Sequence, residues 1–206
     1  MTLFVFCPHW GLAELTWAEK LHKIKKNGYI GMETGALKPV EYDQFGELLA
    51  KFNLLFLPQI FTSGATVAEH VISLREQLDA MRPFQPLRVN CHSGSDAWDF
   101  EDATRFYREA QFIEADSGLN VCHETHRGRC FYNPWATVRL LENFPKLNLC
   151  ADFSHWVCVC ERLLNTEENL VRFCASRTIH IHARVGYENG PQVTDPRAPE
   201  WKLHLE

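Results

Sequence analysis

Short, almost wholly apolar runs alternate along the chain with longer stretches whose apolar residues recur at helical spacing. The apolar runs are Leu3–Cys7, Tyr29–Glu33, Leu54–Gln59, Leu87–Cys91, Leu119–Glu124, Leu147–Asp152 and Ile179–Ala183. Their first residues fall 25 to 33 positions apart, which is one strand and one helix per interval. Runs that stay apolar until their last residues are expected of parallel strands covered on both faces.

The intervening helices carry readable starts. Thr16-x-x-Glu19 and Thr66-x-x-Glu69 have the form of capping boxes, and each opens a periodic apolar run. Asn133-Pro134 supplies an N-cap with proline at the first helical position. Phe100–Ala115 repeats apolar residues at helical spacing, and Asn143-Phe144-Pro145 closes the fifth helix.

Seven consecutive strand–helix units fit either a barrel or an open, doubly wound sheet, and the polar residues separate the two. An open sheet gathers its site at one switch point. Here His9, Glu33, Gln59, His92, Glu124, Asp152 and His182 end seven strands in turn. Chemistry at the C-terminal ends of many strands is the pattern of a (β/α)₈ barrel. The reading is therefore one TIM-barrel domain over 1–206, apparently truncated after strand seven. Such a barrel typically needs roughly 250 residues, and no eighth strand is found. The segment from Gly190-Pro191 to Pro199 reads as a loop and Glu200–Glu206 as a first helical turn. The chain is truncated, or a partner supplies the strand, or the sheet stays open with edges at strands one and seven.

Composition narrows the function classes. With 46% apolar and 23% charged residues, the chain is an ordinary globular protein. A formal charge of −5 advertises no basic field for nucleic acid or acidic lipid, so nucleic acid is not the expected partner. No apolar stretch is long enough for a membrane span. The N-terminus lacks a basic region before its first strand, so no signal peptide is expected. Cys7, Cys91, Cys122 and Cys150 fall inside strands as small hydrophobes, which suits reduced thiols in a cytoplasmic compartment. Cys158 and Cys160 lie one residue apart, which is not a zinc-knuckle spacing.

Three strand ends carry the chemistry. In Leu119-Asn-Val-Cys-His-Glu124-Thr-His126, alternation puts Cys122, Glu124 and His126 on one face and His123 on the other. A carboxylate at the barrel mouth is costly unless it is paired or metal-bound. Strand six ends in Asp152, and His155 follows on the turning loop. In strand seven His180, His182 and Arg184 share a face. His182 lies nearer the mouth, and His180 reads as a supporting or core residue. Glutamate, aspartate and imidazole form a ligand set for Mn²⁺, Zn²⁺, Co²⁺ or Mg²⁺.

In order and spacing these residues resemble the xylose isomerase-like barrel superfamily, which includes sugar isomerases, ketose 3-epimerases, hydroxypyruvate isomerases and class II apurinic endonucleases. Gly28-Tyr-Ile-Gly-Met-Glu33 is similar to that superfamily's second strand. The resemblance implies that Glu124, Asp152 and His182 bind the metal and that His155 contacts substrate or a second metal. It also implies a fourth ligand, a glutamate on strand eight that doubles as one of two acid/base groups in epimerases. This sequence does not contain it.

Other mouth residues are candidates for substrate. His92 stands beside a Ser-Gly turn suited to a hydroxyl or carboxylate, and His126, Arg127 and Arg129 form a cationic cluster. Arg184 joins them, while Glu33 anchors loops or touches substrate. Trp10, Trp135 and Trp156 wall the pocket or pack in the core. The expected activity is a metal-dependent isomerase or epimerase of a small sugar, keto-sugar or sugar acid. Glu124 and His155 are its catalytic candidates, and a homo-oligomer is possible. The alternatives are a metal-dependent hydrolase or phosphodiesterase and a non-catalytic barrel fragment. DNA repair is disfavoured because Tyr187 to Asp195 lacks the Asp-x-His pair expected after strand seven.

Overall fold

The computed structural model describes residues 3–205. Met1 and Thr2, at the head of the N-terminal segment, and Glu206, the end of the expected last turn, lie outside the described residues. The strands are β1 (Phe6–Pro8), β2 (Gly31–Thr34), β3 (Leu55–Phe61), β4 (Val89–His92), β5 (Val121–Glu124), β6 (Leu149–Ala151) and β7 (Thr178–Ile181). They pair in parallel in the order 1-2-3-4-5-6-7, the sequential order of a (β/α)₈ barrel wall. Among the described residues no strand joins β7 to β1, so the wall has a seam.

The helices are α1 (Trp17–Lys26), α2 (Tyr42–Phe52), α3 (Val67–Met81), α4 (Phe100–Ser117), α5 (Pro134–Asn143), α6 (Ser154–Cys160) and α7 (Glu168–Ala175). Both capping boxes form: the Thr16 and Thr66 hydroxyls accept from the backbone N–H groups of Glu19 and Glu69, whose carboxylates accept from the threonine N–H groups. Asn133 caps α5 by accepting from Ala136 N–H at 2.8 Å. Leu21, Ile24, Leu74, Leu78, Phe106 and Leu141 turn inward from their helices and are buried.

The glycines of Gly28-Tyr-Ile-Gly-Met-Glu33 have separate jobs. Gly28 has φ +82°, in the turn leaving α1, which L residues adopt at a cost. A Cβ on Gly31 would collide with the Leu55 carbonyl and the Phe6 ring, so β2 approaches both neighbours as closely as it does only with glycine there.

Four expectations change, and one alternative is settled. The first strand is Phe6–Pro8 rather than Leu3–Cys7: Leu3, Phe4 and Val5 are exposed, and among the described residues no strand pairs their outer edge. His155 lies in the first turn of α6, not on a loop, and β6 and β7 are separated by two helices instead of one. The C-terminal turn is a 3₁₀ helix over Pro199–His204. Trp156 is fully buried and donates from Nε1 to the Phe131 carbonyl, so it is core and not pocket wall, whereas Trp10 and Trp135 are exposed.

Candidate active site

The mouth is built on the best-covered strands. All residues of β2, β4, β5 and β6 are buried, which seats Glu33, Asn90, His92 and Glu124 in surroundings that exclude water. A carboxylate held there needs donors. Glu124 Oε2 accepts from Asn90 Nδ2 at 2.6 Å, and His182 Nδ1 stands 3.4 Å from Oε1. His92 Nε2 lies 2.8 Å from Oε2 but off the line of a hydrogen bond. Burial pushes the Glu124 carboxyl up, but the His182 and His92 partners outweigh it and hold it well below the usual range. Glu124 is an anion at any working pH.

Glu33 is the hub of the open side. It accepts from Gln59 Nε2 at 3.1 Å and Asn90 Nδ2 at 3.3 Å. The ring Nε2 atoms of His180 and His182 lie 3.0 and 2.8 Å from its two oxygens. Burial raises its pKa, and the two histidines bring it down to about 2. Burial lowers His182, but Glu124 and Glu33 on either side drive it far upward, so it is an imidazolium between two carboxylates.

Asp152 is treated differently. Its Oδ1 accepts a short bond from the Ser154 hydroxyl, its backbone N–H donates to Thr125 Oγ1 at 2.7 Å, and its Oδ2 has no hydrogen-bond partner. Burial lifts its carboxyl to about 6, with the Ser154 bond working against it. His155 Nε2 lies 3.7 Å from Asp152 Oδ2 and 3.2 Å from Gln192 Nε2, while its Nδ1 is buried without a partner. His126 packs against His155 with ring centroids 3.8 Å apart and the planes tilted by 47°, and it places Nδ1 2.5 Å from the Arg127 carbonyl. Because a carbonyl only accepts, Nδ1 carries the proton and Nε2 the lone pair. Burial and the neighbouring rings lower His126 to about 4 and His155 to about 3, so both are neutral at pH 7.

Among the described residues, three groups have ligand atoms that lie within 4.8 Å of one another: Glu124–Asp152–His155, His92–Glu124–His126 and Cys150–His180–His182. Glu124 and Asp152 thus come together, but with His155 as the third member. His182 reaches Glu124 and Glu33 and is not grouped with Asp152. The first group fits a divalent cation on structural grounds, since Asp152 Oδ2 is a buried carboxylate oxygen with no hydrogen-bond partner.

The expected cationic cluster disperses. His126 is neutral, and Arg129 is spent on backbone, donating to the Thr62 and Gly94 carbonyls at 2.8 and 3.2 Å. Arg127 donates to Gln192 Oε1 at 3.1 Å, and exposed Arg184 lies 4.9 Å over the Trp10 ring. Two residues were missed. Asn90, fully buried and bonded to both Glu124 and Glu33, had a signal: a polar residue inside an apolar strand, two positions before His92. Gln192 arrives from the C-terminal loop to bond Ser154 and His155, and nothing in that loop's sequence marks it.

At the seam between β1 and β7 a cleft of about 760 Å³ opens, lined by Phe4, Phe6, Leu57, His180, Ile181 and Arg184 among others. Among the described residues no helix is long and apolar enough to cross a membrane.

Known structures bear on the fold. A probable 3-DHS dehydratase of petrobactin synthesis from Bacillus anthracis superposes with a TM-score of 0.70 at 12% identity, over 94% of this chain and 78% of that one. A 3-keto-D-glucoside 4-epimerase from E. coli gives 0.66 at 13%, over 88% and 78%. A xylose isomerase-like TIM barrel protein from Mycobacterium smegmatis in complex with magnesium gives 0.62 at 14%, over 82% and 66%. No family model matches the sequence, and no curated protein does.

Proposed function

We propose, from a fold like that of the xylose isomerase-like TIM barrels and open at one seam among the described residues, that the chain is a divalent-metal-dependent isomerase or epimerase of a small sugar, keto-sugar or sugar acid. The observation that carries the proposal is the buried Glu124–Asp152–His155 trio at three adjacent elements of the mouth, with Asp152 Oδ2 left without a hydrogen-bond partner.

In this reading Glu124, Asp152 and His155 hold the cation. When bound, it polarises a substrate carbonyl and stabilises negative charge on its oxygen. The chain supplies the rest. Asn90 fixes the Glu124 carboxylate, and the His182 imidazolium adds positive potential beside it. Glu124, strongly held as an anion, is better suited to ligation than to carrying a proton. His126 is the better proton carrier, because its Nδ1 proton is tied to a carbonyl, which leaves the lone pair on Nε2, and its ring packs against His155 of the trio. His92 and Arg184 are the groups for substrate oxygens. The carbohydrate class draws support from neighbours described as a 3-keto-D-glucoside 4-epimerase and a D-tagatose 3-epimerase-like protein. The divalent ion draws it from those described with magnesium and with zinc.

One observation favours a second reading. Glu124 also belongs to the His92–Glu124–His126 group, and a carboxylate shared by two groups is how a two-metal hydrolase or phosphodiesterase is built. A structural neighbour from Brucella melitensis is described as an AP endonuclease of family 2.

His126→Asn separates the two. As a proton carrier His126 contributes about 10²–10⁴-fold to turnover with metal content unchanged. As a ligand it takes a metal equivalent with it when removed. The primary assay is exchange of a carbon-bound substrate proton with D₂O, followed by NMR across ketoses and sugar acids with Mg²⁺, Mn²⁺, Co²⁺ and Zn²⁺. Metal-dependent, chelator-sensitive exchange is expected. Exchange that survives complete metal removal overturns the reading.

A further inference from the structure

Beneath the mouth lies a group of side chains that the proposed activity does not use as ligands. We propose that the barrel interior holds a second, softer metal position, formed by the Cys150 thiolate and the imidazoles of His180 and His182. It shares no ligand with the Glu124–Asp152–His155 trio.

The placement follows from strand register. Cys150 on β6 and His180 on β7 are direct partners in the parallel ladder, and His182 lies two residues further along the same face. Ligand atoms of the three lie within 4.8 Å of one another. The sequence already contains the pattern: Ile179-His-Ile-His alternates, and Cys150 precedes Asp152 by two, so all three side chains face the barrel interior.

The surroundings are those of a binding position. Glu33 touches both imidazoles, at 3.0 and 2.8 Å, and fixes their orientation as a carboxylate does behind metal-ligating histidines. The neighbouring thiol, Cys122, donates to the Val89 carbonyl at 3.5 Å, whereas Cys150 shares its ligand group with the two histidines. Cys150 is fully buried, whereas the His180 and His182 side chains are 15% and 11% exposed. That exposure is to the seam cleft, which both histidines line. An ion reaches the position from the seam without passing the mouth.

Chemistry distinguishes the two positions. Two carboxylates and one imidazole accept Mg²⁺ and Mn²⁺ as well as Zn²⁺. One thiolate and two imidazoles select borderline-soft ions, Zn²⁺ above all, against Mg²⁺. Binding exchanges the Cys150 thiol proton and the second ring proton of His182 for the ion, and both protons leave to solvent.

The test is titration of the chelator-treated full chain with Co²⁺, which occupies zinc sites and reports thiolate bonding as a near-ultraviolet charge-transfer band. The band should saturate at one equivalent, disappear on adding Zn²⁺ and persist in excess Mg²⁺. It should be lost in Cys150→Ser and kept in Cys122→Ser and Asp152→Asn. His180→Gln should weaken the band-forming affinity about tenfold or more. This variant decides the matter if Cys150→Ser does not fold. No band in the native chain, an undiminished band in Cys150→Ser or His180→Gln, or its loss in Asp152→Asn overturns the proposal. Only the last of these involves the mouth trio, so this inference and the isomerase reading fail separately.

Discussion

The two halves of the wall are built from similar residues and end in opposite states. Along β4 to β6, Val89, Cys91, Leu149 and Cys150 are fully buried, each strand paired on both sides and roofed by helices. At the seam, Ile181 is 66% exposed and Phe4 53%, although both are as apolar as any core residue. Hydrophobicity selects strands, but burial needs a neighbour, and among the described residues β1 and β7 each have one pairing partner where the other strands have two. The chemistry divides in the same way. Glu124, Asp152 and His155 sit in the closed wall, where polar atoms are shielded from water and left for a ligand. Glu33, His180, His182 and Arg184 face the seam, where charge is balanced internally or solvated.

That contrast predicts unequal responses to substitution. The largest effect is at the closed mouth. Glu124→Ala should abolish binding of the mouth ion, read by elemental analysis, and metal-dependent turnover with it. Arg184→Ala, at the seam, should change substrate KM more than kcat. Equal losses of metal in both variants would dissolve the distinction.

The next effect is on stability. Leu149→Ala, in the closed wall, should cost about 2–5 kcal/mol in denaturant unfolding. Ile181→Ala, at the seam, should stay within about 0.5 kcal/mol. A cost above about 2 kcal/mol at Ile181 would mean that something covers the seam in solution.

Asn90 links the halves, since it donates to both Glu33 and Glu124. Asn90→Leu leaves two buried carboxylates short of a donor and should cost about 1–3 kcal/mol. It should also raise the pH at which the mouth carboxylates take up protons. A neutral substitution would show that water replaces the amide.

The smallest effect is a pH dependence. Burial raises Asp152 to about 6 in the folded chain, against an ordinary 3.8. The folded state therefore binds that proton more tightly than the unfolded one. Stability of the metal-free chain should decline modestly as pH rises from about 4 to about 6 and then level off. Metal affinity runs the other way, because the ion needs the carboxylate: it should tighten up to tenfold per pH unit below about 6 and flatten above. Asp152→Asn should remove the slope in stability, and a slope that persists would assign the titration to another group.

The strand–helix alternation, the sequential parallel order and both capping boxes were legible in the sequence because each depends on local periodicity or on residues three apart. The strand-end residues were legible for the same reason: a parallel strand buried on both faces stays apolar until it reaches the mouth. Cys122 with Glu124, and His180 with His182, could be assigned to shared faces by alternation alone. Which of these side chains meet was a different matter. Asp152 was expected to join Glu124 and His182. Instead the first turn of α6 carries His155 toward Asp152, while the seam lets His182 settle between Glu33 and Glu124. Arg129 looked like a site cation in sequence and is bound to two carbonyls in space. Gln192 comes from a loop with no pattern at all. Periodicity is a property of one segment, whereas convergence depends on how strands are staggered, where a helix begins and which edge lacks a partner. Those are decided only when the whole wall assembles.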